Sequence, residues 1–90
     1  MAHNSKIVFY GLSTCPYCRR AKEYMDEHNI TFELIYVDLL KGDERTEMVE
    51  KVREYNPALS FPTIVIFDKS DKSNVYVGFT DEARAAVDAA

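Results

Sequence analysis

The chain has little cysteine, little histidine, no long apolar run and no excess of positive charge. Each shortage closes off a class of function. Two cysteines in 90 residues are too few for the disulfide framework that small secreted domains depend on. A structural zinc site takes four ligands. Beyond Cys15 and Cys18 only His3 and His28 are on hand, and His3 sits in a loose N-terminal lead-in. No stretch approaches the roughly 20 apolar residues of a membrane-spanning helix, and Met1 to Lys6 lacks the apolar core of a secretory signal. With 11 basic against 15 acidic residues, a formal charge of −4, the chain is of the wrong sign for a nucleic-acid partner. No repeat, linker or low-complexity tract divides it. What remains is one small domain over residues 1–90, 47% hydrophobic and 29% charged, with the composition of an ordinary globular protein. It is expected in the cytoplasm, as a monomer, with no membrane partner. In a reducing compartment a spaced cysteine pair more often signals redox or metal chemistry than architecture.

That pair lies in Thr14-Cys15-Pro16-Tyr17-Cys18-Arg19, directly after the apolar run Ile7-Val8-Phe9-Tyr10 and directly before a helix-like pattern. Proline favours the first helical position, where its missing N–H costs nothing. Pro16 in that position makes Cys15 the N-cap, whose side chain faces the N–H groups of Tyr17 and Cys18 and the positive end of the helix dipole. Both effects favour thiolate over thiol, and helix N-termini lower cysteine pKa values by about one to several units. Cys18, one turn on, shares a face with Cys15 and lies within reach of a disulfide. The spacing therefore describes an exposed attacking thiol backed by a resolving thiol.

The rest of the chain supplies a frame for that pair. Lys6 to Tyr10, ending at Gly11, reads as a strand buried on both faces. Pro16 to about His28 follows as a helix with Cys18, Ala21, Tyr24, Met25 and His28 at three- and four-residue spacing, stopped at Asn29. Thr31 to Val37 alternates as a strand, and Asp38 to Gly42 is a connection. Asp43 is placed to cap a second helix whose apolar stripe is Met48, Val49, Val52 and Tyr55, with Glu47 and Lys51 set for an i,i+4 pair, and Asn56-Pro57 ends it. Thr63 to Phe67 is the most strand-like run, Asp68 to Asn74 a polar hairpin loop, and Val75 to Val77 its partner strand. Thr80 or Asp81 caps a last helix carrying Ala83, Ala86, Val87 and Ala90. The order β-α-β-α-β-β-α requires a parallel first pair with a right-handed crossover and an antiparallel last pair. The expected class is α/β, a four-stranded mixed sheet flanked on both faces by three helices.

With these parts in place the sequence resembles the glutaredoxins, within the thioredoxin superfamily, over nearly its whole length. The resemblance rests on Cys15-Pro16-Tyr17-Cys18 after the first strand, Phe61-Pro62-Thr63 before the third and Gly78-Phe79-Thr80-Asp81 after the fourth. It implies a thioredoxin-like fold and thiol–disulfide exchange through Cys15 and Cys18. It also implies a cis bond before Pro62, facing the active site and leaving the Phe61 backbone to pair with an extended substrate. Thr80 and Asp81, with Gly78, match the place where glutathione-using members hold the γ-glutamyl end of the tripeptide at a helix N-terminus. Pro16 and Tyr17 complete the implied substrate-binding set. No bound cofactor or metal is implied, and the partners are disulfide-containing proteins with glutathione or a thioredoxin-type reductase as electron donor. Two positions depart from glutathione-using members: Leu12 stands where they commonly carry lysine, and Gly78-Phe79 where they often show two glycines. Gly-Phe looks more like the redoxins that a thioredoxin reductase reduces and that supply electrons to ribonucleotide reductase.

Plainer readings stand beside these. Arg19, Arg20 and Lys22 either add a favourable field at the thiolate or are solvated helix-face charges. Tyr17 lines the site or is simply exposed. Tyr10, Tyr24, Tyr36, Tyr55 and Tyr76 read as core or half-buried aromatics, Met25 and Met48 as core fillers, and His28 as a rim residue. Asp38 ends its strand, or relays protons to Cys18 if it points inward. A non-catalytic binding module built on the Pro62 groove, and a metal or cluster carrier, are the rival function classes.

Overall fold

The computed structural model describes residues 6–68, 70 and 72–89. The expectations for His3, Ala90 and part of the loop after Asp68 fall outside them. Strand β1 (Lys6–Gly11) leads to helix α1 (Pro16–Glu27), strand β2 (Glu33–Tyr36), a 3₁₀ turn (Val37–Leu39) and helix α2 (Gly42–Tyr55). Strands β3 (Thr63–Phe67) and β4 (Ser73–Val77) and helix α3 (Asp81–Ala89) complete the chain. The sheet order is β2-β1-β3-β4, with β1 and β2 parallel and the other two pairings antiparallel. This is the mixed four-stranded sheet with three helices that the element order requires.

Burial explains why β1 and β3 are continuous apolar runs. They occupy the two central positions, so residues of both parities need cover. Ile7, Phe9, Ile64 and Ile66 pack on one face with Cys18, Ala21 and Met25 of α1 and Ala83 and Val87 of α3. Val8, Tyr10 and Val65 pack on the other with Val52 of α2 and Val37. The alternation in β2 divides accordingly, Leu34 toward the first cluster and Ile35 toward the second.

Several local expectations shift. Helix α2 takes Lys41, not Asp43, as its N-cap, and makes no side-chain cap bond. The chain enters the helix at Gly42, whose φ of 60° only glycine adopts at no steric cost, and Asp43 falls inside the acid-friendly first turn. The Asp38–Gly42 connection contains the 3₁₀ turn, which shortens β2 to Glu33–Tyr36. Strand β4 begins earlier than expected, at Ser73, because pairing with Phe67 extends the ladder into polar sequence. Helix α3 is capped by Thr80, whose hydroxyl accepts the Ala83 N–H at 3.2 Å. Asn29 takes a left-handed φ of 56° just past the His28 C-cap of α1. Among the described residues the ion pairs are Lys6–Glu33, Lys22–Asp26 and Arg84–Asp81. Glu47 and Lys51 form none.

Candidate functional site

Strand register gathers the site. Tyr10 of β1 lies opposite Thr63 of β3, which lies opposite Val77 of β4, while Gly11 pairs with Tyr36 of β2. The segments that continue from these ends of the four strands must therefore emerge at one end of the sheet. They are the 11–15 loop with the first cysteine, the Val37–Leu39 turn with Asp38, Phe61-Pro62, and Gly78 to Thr80. A backbone bond ties two of them, the Gly78 N–H donating to the Pro62 carbonyl at 2.8 Å. The Phe61–Pro62 peptide is cis, and Gly78 has φ of 80°.

Cys15 is the N-cap of α1 and Pro16 its first residue, as the spacing predicts. Both cysteines are free thiols, Cys15 half-buried and Cys18 only 1% exposed. Their environments push their acidities apart. Burial acts to raise the Cys15 pKa, but the Cys18 N–H, the Cys18 thiol and the Tyr17 N–H together outweigh it and hold the group below the ordinary thiol value. No N–H closes a full cap bond on the Cys15 sulfur, so these hydrogen-bonding groups approach it without ideal cap geometry. For Cys18, burial dominates and pushes the thiol up to about 12, with Cys15 and the negative charge of Asp38 adding to the rise. The Leu12 N–H, 3.5 Å from the Cys18 sulfur, works in the opposite direction. One thiol is thus poised to ionise beside one kept protonated.

The other residues singled out in the sequence fall around this pair. Tyr17 is exposed at 66%. Cys15, Phe61 and Phe79 all pack against the core cluster that contains Cys18, and Pro62 is buried. The Thr80 hydroxyl is engaged as the α3 cap, and the Asp81 carboxylate pairs with Arg84 at 2.5 Å. Lys22 directs its ammonium to Asp26 at 2.7 Å. Tyr24 stacks on His28 with ring centroids 4.0 Å apart, meets Phe79 at 5.4 Å and donates its hydroxyl to Asp88, which ties α1 to α3.

Two polar residues at this end carried no site role in the sequence. Asn56 is buried, and its amide donates to the Ser60 carbonyl at 3.0 Å, the Ser60 hydroxyl at 3.1 Å and the Thr63 hydroxyl at 3.1 Å. Its carbonyl accepts the Ala58 N–H, so one side chain shapes the whole segment leading to Pro62. Ser13 donates its N–H to one Asp38 oxygen at 2.9 Å and its hydroxyl to the other at 2.5 Å, and Asp38 is held below the usual carboxylate range chiefly by those two bonds. The sequence signal was slight in both cases, Asn56 reading as the end of a helix and Ser13 as one residue of the loop before the cysteines. Among the described residues no group of three or more His, Cys, Asp or Glu side chains could hold a metal ion, and no helix is long and apolar enough to cross a membrane.

The glutaredoxin family model matches residues 7–70. The chain is 38% identical over 45 residues to glutaredoxin 1 of Rickettsia felis, a match covering 50% of this chain and 44% of that protein. It therefore spans less than half the length of that relative. It is 34% identical over 73 residues to an uncharacterized glutaredoxin-like 8.6 kDa protein from the rubredoxin operon of Clostridium pasteurianum, with 81% of this chain and 84% of the relative covered. Among solved structures, Methanosarcina acetivorans methanoredoxin superposes with a TM-score of 0.80 at 34% identity, covering 93% of this chain and 84% of that one.

Proposed function

The chain belongs to the glutaredoxin family, and we propose that it is a dithiol thiol–disulfide oxidoreductase that reduces protein or small-molecule disulfides in the cytoplasm, as a monomer without a resident cofactor. One observation carries the reading: the two thiols are tuned in opposite directions, Cys15 toward thiolate at the mouth of α1 and Cys18 toward thiol beneath it. That division suits two successive steps. The Cys15 thiolate attacks one sulfur of the substrate disulfide, the other sulfur leaves as a thiolate, and a mixed disulfide forms. Cys18 then loses its proton to solvent and attacks the Cys15 sulfur. The second substrate sulfur departs with the electron pair, and Cys15 and Cys18 are left as a disulfide. In this reading Pro16, Tyr17, Phe61 and Pro62 frame the substrate, the Phe61 backbone pairing with it in extended form. Gly78, Thr80 and Asp81 form the wall beside it.

Glutathione or a thioredoxin-type reductase returns the electrons. The second donor is favoured by Phe79, whose ring is packed on Tyr24 at the position where glutathione-using members often carry a glycine. In that form the protein serves as an electron donor to an enzyme such as ribonucleotide reductase. The reading is tested with reduction assays on Cys15→Ser and Cys18→Ser. The first is expected to abolish turnover, and the second to trap mixed disulfides with protein substrates. Equal residual turnover in both would rule it out. Running the wild type with glutathione plus its reductase, and separately with thioredoxin reductase, assigns the donor.

A further inference from the structure

The segment before the cysteines touches both of them. The Leu12 carbonyl accepts the Cys15 N–H at 3.1 Å, while the Leu12 N–H donates to the Cys18 sulfur at 3.5 Å. A peptide segment that bonds both thiol-bearing residues must itself be held, and the next residue shows how. Ser13 gives its N–H and its hydroxyl to the two oxygens of Asp38, 25 positions along the chain. The Asp38 carboxylate is fixed in turn, because the 3₁₀ turn that carries it starts at Val37, which is buried in the second core cluster.

We propose that Asp38 is a positioning residue that acts through Ser13 to hold the Leu12 N–H on the Cys18 sulfur, and so sets the rate at which Cys18 resolves the mixed disulfide on Cys15. The inference rests on the dithiol reading and deepens it. A two-point, charge-assisted grip is stronger and more directional than a single neutral bond. It fixes the loop without contacting the reacting sulfurs. Cys18 depends on that grip more than Cys15 does. Cys15 has the N–H groups of Tyr17 and Cys18 to stabilise its thiolate. Cys18 is buried, and the Leu12 N–H is the group that offsets the cost of ionising it there. The same carboxylate has a second, opposed influence, since its negative charge disfavours the Cys18 thiolate. A substitution that keeps an acceptor for Ser13 and removes the charge separates the two.

Ellman's reagent, an aromatic disulfide, resolves the steps. Attack by Cys15 releases one thionitrobenzoate and leaves the other in a mixed disulfide. Attack by Cys18 releases the second in a phase whose rate is independent of reagent concentration. Asp38→Ala is expected to slow that second phase about tenfold, the loss of one well-made hydrogen bond expressed as a rate, while the first phase changes by less than about twofold. Ser13→Ala keeps its backbone N–H on Asp38 and should slow the second phase by a smaller factor, which preserves the test if Asp38→Ala fails to fold. Asp38→Asn keeps one acceptor for Ser13 and removes the charge, and should resolve faster than Asp38→Ala. An unchanged second phase in Asp38→Ala and Ser13→Ala would overturn the proposal, as would equal slowing of both phases or an Asp38→Asn as slow as Asp38→Ala. A wild type with no second phase would instead dismiss the dithiol reading on which the proposal stands.

Discussion

The Cys18 sulfur is seated against Gly11: a Cβ placed on that glycine would lie 3.2 Å from the sulfur and 2.8 Å from a ring carbon of Phe9. The last residue of β1 is thus a glycine for reasons of space, since Cys18 of α1 packs where a side chain would begin. Gly11→Ala is expected to cost about 1–3 kcal/mol by overpacking, because Phe9 is wholly buried and has nowhere to move. Urea unfolding of the reduced protein measures it. A loss below about 0.5 kcal/mol, the range of ordinary surface substitutions, would show that β1 and α1 separate freely.

Removing the Asn56 amide should destabilise the chain by about 1–3 kcal/mol, the usual cost of leaving buried partners unsatisfied. Asn56→Ala strips three donor contacts from the Ser60–Thr63 segment. Because that segment leads into the proposed substrate groove at Phe61 and Pro62, the KM for a protein disulfide should rise more than kcat falls. Thermal unfolding and steady-state reduction read the two effects separately, and a variant of unchanged stability and KM would dismiss both.

The opposed acidities of the cysteines give stability a pH dependence of definite sign. An acid whose pKa is higher folded than unfolded favours the fold while it remains protonated. The Cys18 contribution is therefore complete below its ordinary value of 9.0 and fades as pH rises from there toward about 12. Cys15, lowered on folding, contributes above the ordinary thiol value, and its share is lost as pH falls through its folded pKa. Reduced wild type should lose more stability than reduced Cys18→Ser between neutral pH and the upper end of that window. Parallel melting profiles for the two proteins would contradict it.

Helix α3 has nine residues, short enough to depend on its cap and its packing. Thr80→Ala removes the oxygen that accepts the Ala83 N–H and should cost about 1 kcal/mol. Thr80→Ser should restore most of it. If Thr80→Ala melts like wild type, the cap contributes nothing. Tyr24→Phe, which loses only the exposed bond to Asp88, should cost about 0.5 kcal/mol or less, and a larger loss would give that bond a structural role.

The sequence by itself determined the elements, their order and the placement of the thiol pair, because each depends on neighbours in the chain. The apolar run Ile7–Tyr10, the proline after Cys15 and the three- and four-residue spacing through Ala21 and Met25 act within one or two turns. The unbroken apolar run also placed Phe9 in a strand buried on both faces. The tertiary structure alone decided what lies across the chain from these residues. Whether Thr80 or Asp81 caps α3, and that Lys41 rather than Asp43 caps α2, turned on how the chain enters each helix, which propensity does not distinguish. Asp38 read in the sequence as the end of a strand or a proton relay to Cys18, and in the fold it accepts two bonds from Ser13; Asn56 ended a helix and organises the approach to Pro62. The Ser13–Asp38 bonds span 25 positions and depend on the parallel pairing of β1 with β2, whereas the Asn56 bonds stay within seven positions and depend on how the chain turns from α2 into β3. A polar side chain at an element boundary reads as a terminator until the fold supplies its partner.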